Sequence, residues 1–221
     1  MSPVKPAFRV IFDPPMKVRI RSTKYTITAV LVCLLAHAAG IAQPAASPVN
    51  AFWSQLEKLC GKAFAGAVAA DTSNSPDFAG KPLVMHVRSC EKDRIRIPFF
   101  VGDDRSRTWV LVKKGDRIQL KHDHRHADGK PDAVTMYGGW TTNPGMATRQ
   151  FFPADEETSK VVPAAAGDAP SAAANVWWIE LVTGSHFSYN LRRLASDRLF
   201  TVRFDLTKEV PAPPAPWGWK N

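Results

Sequence analysis

Apolar residues fall at two spacings along this chain, and the change from one to the other organises it. Between Ser47-Pro48 and Gly61, Phe52, Leu56 and Leu59 stand at i, i+4 and i+7. That spacing predicts one short helix over 48–60, with the serine and proline opening it and the glycine ending it. Beyond it the period is two. Leu83, Met85 and Val87 alternate with Val84, His86 and Arg88, and Ile95, Ile97, Phe99 and Val101 alternate with Arg94, Arg96 and Pro98. Alternation predicts further strands over 107–113, 117–126, 133–140, 147–152, 176–183, 186–193 and 199–207. Turn-forming clusters separate them, among them Gly102-Asp103-Asp104, Lys114-Gly115-Asp116, Asp128-Gly129-Lys130-Pro131 and Thr183-Gly184-Ser185. Short connections favour antiparallel neighbours, so eight or nine consecutive strands predict an all-β fold, an antiparallel meander closed into a barrel. Tyr137, Trp140, Trp177, Trp178, Tyr189, Phe200 and Phe204 supply much of its expected core.

Two stretches break the rhythm. Residues 153–175 are rich in alanine, proline and acids and predict a long exposed loop or lid. Residues 210–221 carry Pro211, Pro213, Pro214 and Pro216 before Trp217 and Trp219. They predict an extended tail packed over the barrel end by its tryptophans, with a proline-rich partner-binding strip as the alternative.

The first forty-odd residues belong to another class. Lys17, Arg19, Arg21 and Lys24 precede an uncharged, mostly apolar run over 25–39, and Ala36, Ala38, Ala39, Gly40 and Ala42 supply small residues behind it. Residues 1–42 therefore predict a cleaved signal peptide, with Met16 as an alternative start and Cys33 removed with the leader. The run is shorter than the roughly 20 residues that cross a bilayer, so no stable membrane span is expected after cleavage. A single domain over 43–209, periplasmic or secreted, is the expected product.

Removing the leader changes the charge and the cysteine arithmetic. It holds six of the 29 basic and one of the 20 acidic residues, which leaves 23 against 19, a net charge of +4. No basic run with interleaved aromatics remains, so nucleic acid is not an expected partner. Of three cysteines, Cys60 and Cys90 remain, and an oxidising compartment predicts their disulfide. A loop of about 31 residues gives ~3 to 4 kcal/mol on chain-entropy grounds.

Candidate chemistry concentrates in Lys121-His122-Asp123-His124-Arg125-His126-Ala127-Asp128-Gly129. On a strand, His122, His124 and His126 share one face with Ile118 and Leu120, and therefore continue an inward row. His-x-His is the spacing at which two imidazoles reach one Zn, Fe or Mn ion, a further ligand coming from elsewhere. The same row, with Tyr137, can instead bind a small hydrogen-bonding or anionic molecule. A plain polar rim at the barrel mouth is the third reading.

Two resemblances bear on these readings. Gly115, His122-x-His124, Asp128 and His186-x-x-x-Asn190 resemble the two cupin motifs, which implies His122, His124, Asp128 and His186 as metal ligands and a metal-dependent enzyme. Phe52-Trp53, the stretch 59–66, Gly102-Asp103-Asp104-Arg105-Ser106-Arg107-Thr108-Trp109, the stretch 121–126, Thr135-Met136-Tyr137-Gly138-Gly139 and Asn175-Val176-Trp177 resemble small exported Gram-negative bacterial proteins without an assigned activity. That likeness spans most of the mature chain. Its organisation is similar to calycin-type barrels such as lipocalins and implies a central cavity. The expected function is binding of a small ligand or metal near His122, His124 and His126; the missing Gly-x-Ser-x-Gly motif argues against a serine hydrolase and leaves other catalysis open. The alternatives are the cupin-like enzyme and an envelope or host-interaction protein acting through its surface, with no protein partner specified.

Overall fold

The computed structural model describes residues 46–162 and 172–220; the expected signal peptide, and 163–171 of the expected loop, lie outside the described residues. The helix α1 (Pro48–Glu57) starts where Ser47 Oγ accepts the Asn50 N–H, with proline in the first turn. It buries Val49, Phe52, Trp53 and Leu56.

Eleven strands follow: β1 (Ala63–Asp71), β2 (Leu83–His86), β3 (Ser89–Glu91), β4 (Arg94–Val101), β5 (Asp104–Lys114), β6 (Arg117–His124), β7 (Tyr137–Trp140), β8 (Arg149–Pro153), β9 (Asn175–Val182), β10 (His186–Arg193) and β11 (Leu199–Val210). They form one antiparallel sheet in the order β7-β6-β5-β4-β2-β1-β11-β10-β9-β8, with β3 hairpinned onto β4. The sheet curls until β7 and β8 meet, so the barrel is nearly closed. Its interior is the apolar row of each strand, for example Ile95, Ile97 and Phe99 of β4, Trp109 and Leu111 of β5 and Phe187 and Tyr189 of β10.

Two strands escaped the periodicity. β3 is three residues long. β1, Ala-Phe-Ala-Gly-Ala-Val-Ala-Ala-Asp, has small residues on its outward face, and Gly66 is required where the strand presses on β11: a Cβ there would lie 2.5 Å from the Phe204 ring. β1 pairs β11 in the register Ala63↔Val210 to Asp71↔Phe200, and this ladder joins the first and last strands.

The seam between β7 and β8 is closed by the connection that follows β8, not by a ladder. Expected to be loop, it forms α2 (Glu156–Val161), because Asp155 caps the Thr158 N–H and two glutamates occupy the first turn. Thr158 Oγ1 accepts from the Gly138 N–H and donates to the Gly138 carbonyl, both at 2.7 Å. The Asp155 N–H donates to the same carbonyl at 2.9 Å. Lys121, buried on the outer side of β6, reaches Asp155 at 2.7 Å and Glu157 at 2.6 Å. Gly139 has no room for a side chain, since a Cβ would stand 1.7 Å from the Pro153 carbonyl oxygen.

One barrel end is plugged by α1. Gln55 Nε2 donates to the Ala147 carbonyl, Thr183 Oγ1 donates to Gln55 Oε1, and Lys113 lies over the Trp53 ring. Cys60, just past α1, is disulfide-bonded to Cys90 on β3. The tail does not cover an end as expected. It runs along the outer face of the sheet, where the Trp217 N–H donates to the Arg105 carbonyl, Arg88 donates to the Lys220 carbonyl and the Arg96 guanidinium sits over Trp219. Trp140 and Trp178 also face outward, against Arg117 and Phe151. Strand alternation sends one of the adjacent Trp177 and Trp178 out whenever the other is in.

Candidate functional site

The end opposite α1 contains a cavity of about 140 Å³, lined by Phe78, Phe99, Arg107, Thr108, Trp109, His122, His124, Tyr137, Tyr189, Leu191, Arg198 and Phe200. Its polar wall is set by β6. Ile118, Leu120, His122 and His124 occupy the inward positions of this strand, so His122 follows two aliphatic residues into the interior.

The tautomer of His122 follows from its partners. Nδ1 lies 2.9 Å from the Tyr137 carbonyl oxygen, which can only accept, so Nδ1 carries the proton. Nε2 therefore accepts the Tyr189 hydroxyl proton at 2.7 Å. The direction runs from Tyr189 through His122 to the Tyr137 backbone. Burial pushes the His122 pKa down to about 3, and the Tyr137 carbonyl only partly opposes this. At neutral pH the imidazole is uncharged with both nitrogens committed. It stacks on the Tyr137 ring, centroids 4.4 Å apart.

His124 stands nearer the mouth. Its Nε2 is 3.2 Å from Tyr137 Oη, and its backbone N–H donates to Thr135 Oγ1. Burial, followed by the Arg107 charge, brings its pKa down to about 4. Burial pushes the Tyr137 phenol up to about 12. Two ion pairs flank the mouth: Arg107 with Asp104, and Arg198 with Asp71 at 2.5 Å. Burial alone would raise the Asp71 pKa, but hydrogen bonds from Ser73, Arg198 and Ser75 hold it at about 2.

The remaining sequence candidates lie elsewhere. β6 ends at His124, so the expected strand over 117–126 stops two residues early. His126 is exposed in a turn, its N–H donating to the Lys130 carbonyl. Asp128 is exposed and tied to Lys130 through its carboxylate. His186 alternates with the inward Phe187 and Tyr189 and therefore faces out, where Glu180 lies at 3.1 Å, Arg203 at 2.9 Å and Ser185 at 3.0 Å. His122, His124, Asp128 and His186 are thus not brought together. Among the described residues, no group of three or more His, Cys, Asp or Glu side chains is placed to hold a metal ion.

Arg107 enters the sequence reading only within the 102–109 stretch, and Arg198 and Phe78 do not enter it as site residues. Arg107 continues the inward row of Trp109 and Leu111, so parity was its available signal. Arg198 and Phe78 come from turn segments without periodicity, where no pattern marks them.

Comparison with protein-family models, curated proteins and solved structures finds no match. The functional reading therefore rests on the geometry. A chamber walled by the rings of Phe99, Trp109, Tyr137, Tyr189 and Phe200, with neutral hydrogen-bonding groups inside and guanidiniums at its rim, suits a flat, partly polar guest.

Proposed function

We propose that this is an exported ligand-binding barrel whose chamber takes a small, single-ring molecule bearing a hydrogen-bonding substituent, a phenol or hydroxylated aromatic acid in chemical class. The carrying observation is the roughly 140 Å³ cavity closed by His122, His124, Tyr137 and Tyr189. A cavity of about 150 Å³ accommodates a benzene-sized guest. Because the Tyr189-to-Tyr137 chain consumes both nitrogens of His122, Tyr137 Oη and the His124 imidazole remain to meet the substituent, and Arg107 and Arg198 suit an anionic group at the rim. The Cys60–Cys90 disulfide supports export. Among the described residues no helix is long and apolar enough to cross a membrane.

The test is isothermal titration of the processed protein with phenol and 4-hydroxybenzoate, with benzene and cyclohexanol as controls. One-to-one binding of the two phenols is expected, at least tenfold tighter than that of the controls, with most of the preference lost in Tyr137→Phe and His124→Ala. Folded protein that binds neither phenol overturns the proposal.

A further inference from the structure

The chamber has a neighbour. A cleft of about 550 Å³ lies between the edge of β1 and residues 74–81, lined by Ala67, Val68, Ala69, Ala79 and Leu83, with Lys81 at its rim. Phe78 lines both the chamber and the cleft, and the two share no other lining residue. The cleft exists because β1 and β2 splay: their ladder runs from Ala63↔His86 to Gly66↔Leu83 and stops. Residues 67–71 of β1 therefore face the 74–81 segment instead of a strand.

Phe78 fills this gap in the barrel wall. Its ring is 4.8 Å from Phe200 and 6.2 Å from Phe99, with the Arg107 guanidinium above it. Aromatic contact is also what holds its segment to the barrel. The segment's hydrogen bonds to the barrel are confined to the base, where the Asn74 and Ser75 N–H groups donate to Asp71 at the end of β1, and the others, from Asp77 and Lys81, stay within the segment. Positive φ angles at Asn74 and Gly80 bracket the stretch, while Arg198 anchors its base through Asp71 and Ser73. A swing of Phe78 about that base breaks no further hydrogen bond to a strand, and a guest's ring and chain can restore the lost aromatic contacts.

Size determines what such a swing is for. Small-molecule sites commonly span about 300 to 1,000 Å³. The chamber alone falls below that range, and the chamber joined to the cleft lies within it. We propose that Phe78 is a gate in the barrel wall and that the ligand is elongated, with its hydrogen-bonding ring in the His124–Tyr137 chamber and a short aliphatic chain in the cleft along β1. This rests on the chamber reading above and adds the ligand's shape and its route of access.

The test is a 4-alkylphenol series (phenol, 4-ethyl, 4-butyl and 4-hexyl), followed by tryptophan fluorescence at equilibrium and in stopped flow, with 1-hexanol as a chain-only control. Affinity is expected to rise by up to about fourfold per methylene until the cleft is filled. Phe78→Ala should speed association of 4-butylphenol at least tenfold, and Phe78→Trp should slow it. If phenol binds but longer members are rejected, or if neither substitution changes the association rate, the gate is overturned while the chamber stands. If phenol itself fails to bind the folded wild type, both proposals fall.

Discussion

Replacing Tyr189 by phenylalanine removes one oxygen and almost no volume, yet it cuts the buried chain. His122 Nε2 loses its donor, at 2.7 Å in the wild type. His122 is 2% exposed, so water has little access to replace the lost oxygen. A buried polar group left without a partner costs about 1–3 kcal/mol, which is the expected loss for the one orphaned nitrogen. For a domain of this size each kcal/mol moves Tm by roughly 2–4 °C, so the variant should melt about 2–12 °C lower. Tyr137→Phe is the matched control. Among the described residues its hydroxyl meets only His124, at 3.2 Å, and it faces the cavity, so the loss there should stay below ~1 kcal/mol. Urea unfolding of both variants beside the wild type, with unchanged m values confirming intact compactness, measures the difference. Equal losses in the two variants, or a Tyr189→Phe loss under about 0.5 kcal/mol, would refute the directional chain.

The histidines also predict an acid response. His122 and His124 are held near pKa 3 and 4 in the folded state against 6.5 for a free imidazole, so below pH 6.5 the unfolded chain binds more protons and stability falls with pH. The loss begins near pH 6.5, approaches ~1.4 kcal/mol per pH unit for each histidine and levels off below the folded pKa values. Asp71, depressed to about 2, contributes stability that is lost only below about pH 4. Urea midpoints of wild type and His122→Phe between pH 2 and 8 separate these windows, and a wild-type curve flat from pH 7 to 5 contradicts the buried neutral imidazoles. Gly139→Ala forces a Cβ onto the Pro153 carbonyl and should abolish folded expression, whereas Gly184→Ala, with open space around it but φ at +69°, should cost about 1 kcal/mol; circular dichroism of the purified variants checks both. Cys60→Ser/Cys90→Ser should lower stability by ~3–4 kcal/mol in denaturant titrations, and a loss under 1 kcal/mol would mean that α1 holds its place without the tether.

Much of the architecture was legible because most strands write their facing into the sequence. β10 has the expected limits, and β4, β5, β6, β9 and β11 agree to within three residues at each end. What failed did so for physical reasons. β1 has alanine and glycine where alternation needs a size difference. Residues 133–136 read as strand, but Met136 adopts φ of +56° and the ladder starts only at Tyr137. The histidine row was right for the two residues inside β6 and wrong for His126, because parity fixes a side chain's face only while the strand lasts. His186 shows the complementary limit: a motif can match along the chain while alternation on its own strand turns the side chain out of the barrel. The chamber's aromatic walls were largely visible as core residues, but its arginine rim and Phe78 depend on which turns converge at one end, and that is a property of the closed sheet.

The β1–β11 ladder sets when the barrel can exist. Every other neighbouring pair on the main path is joined by a hairpin or a single connection, but Ala63↔Val210 and Asp71↔Phe200 couple residues about 140 positions apart. Compared with a ten-residue hairpin, closing so long a loop costs only about 2 kcal/mol more in chain entropy, because the penalty grows logarithmically. The larger consequence is temporal. Until the last strand has emerged, β1 has an unpaired edge and the aromatic interior has no far wall, so a chain still being made has no closed barrel to fold into. Folding becomes a single late event, and truncation ahead of β11 leaves an open sheet with a sticky edge in place of a smaller barrel.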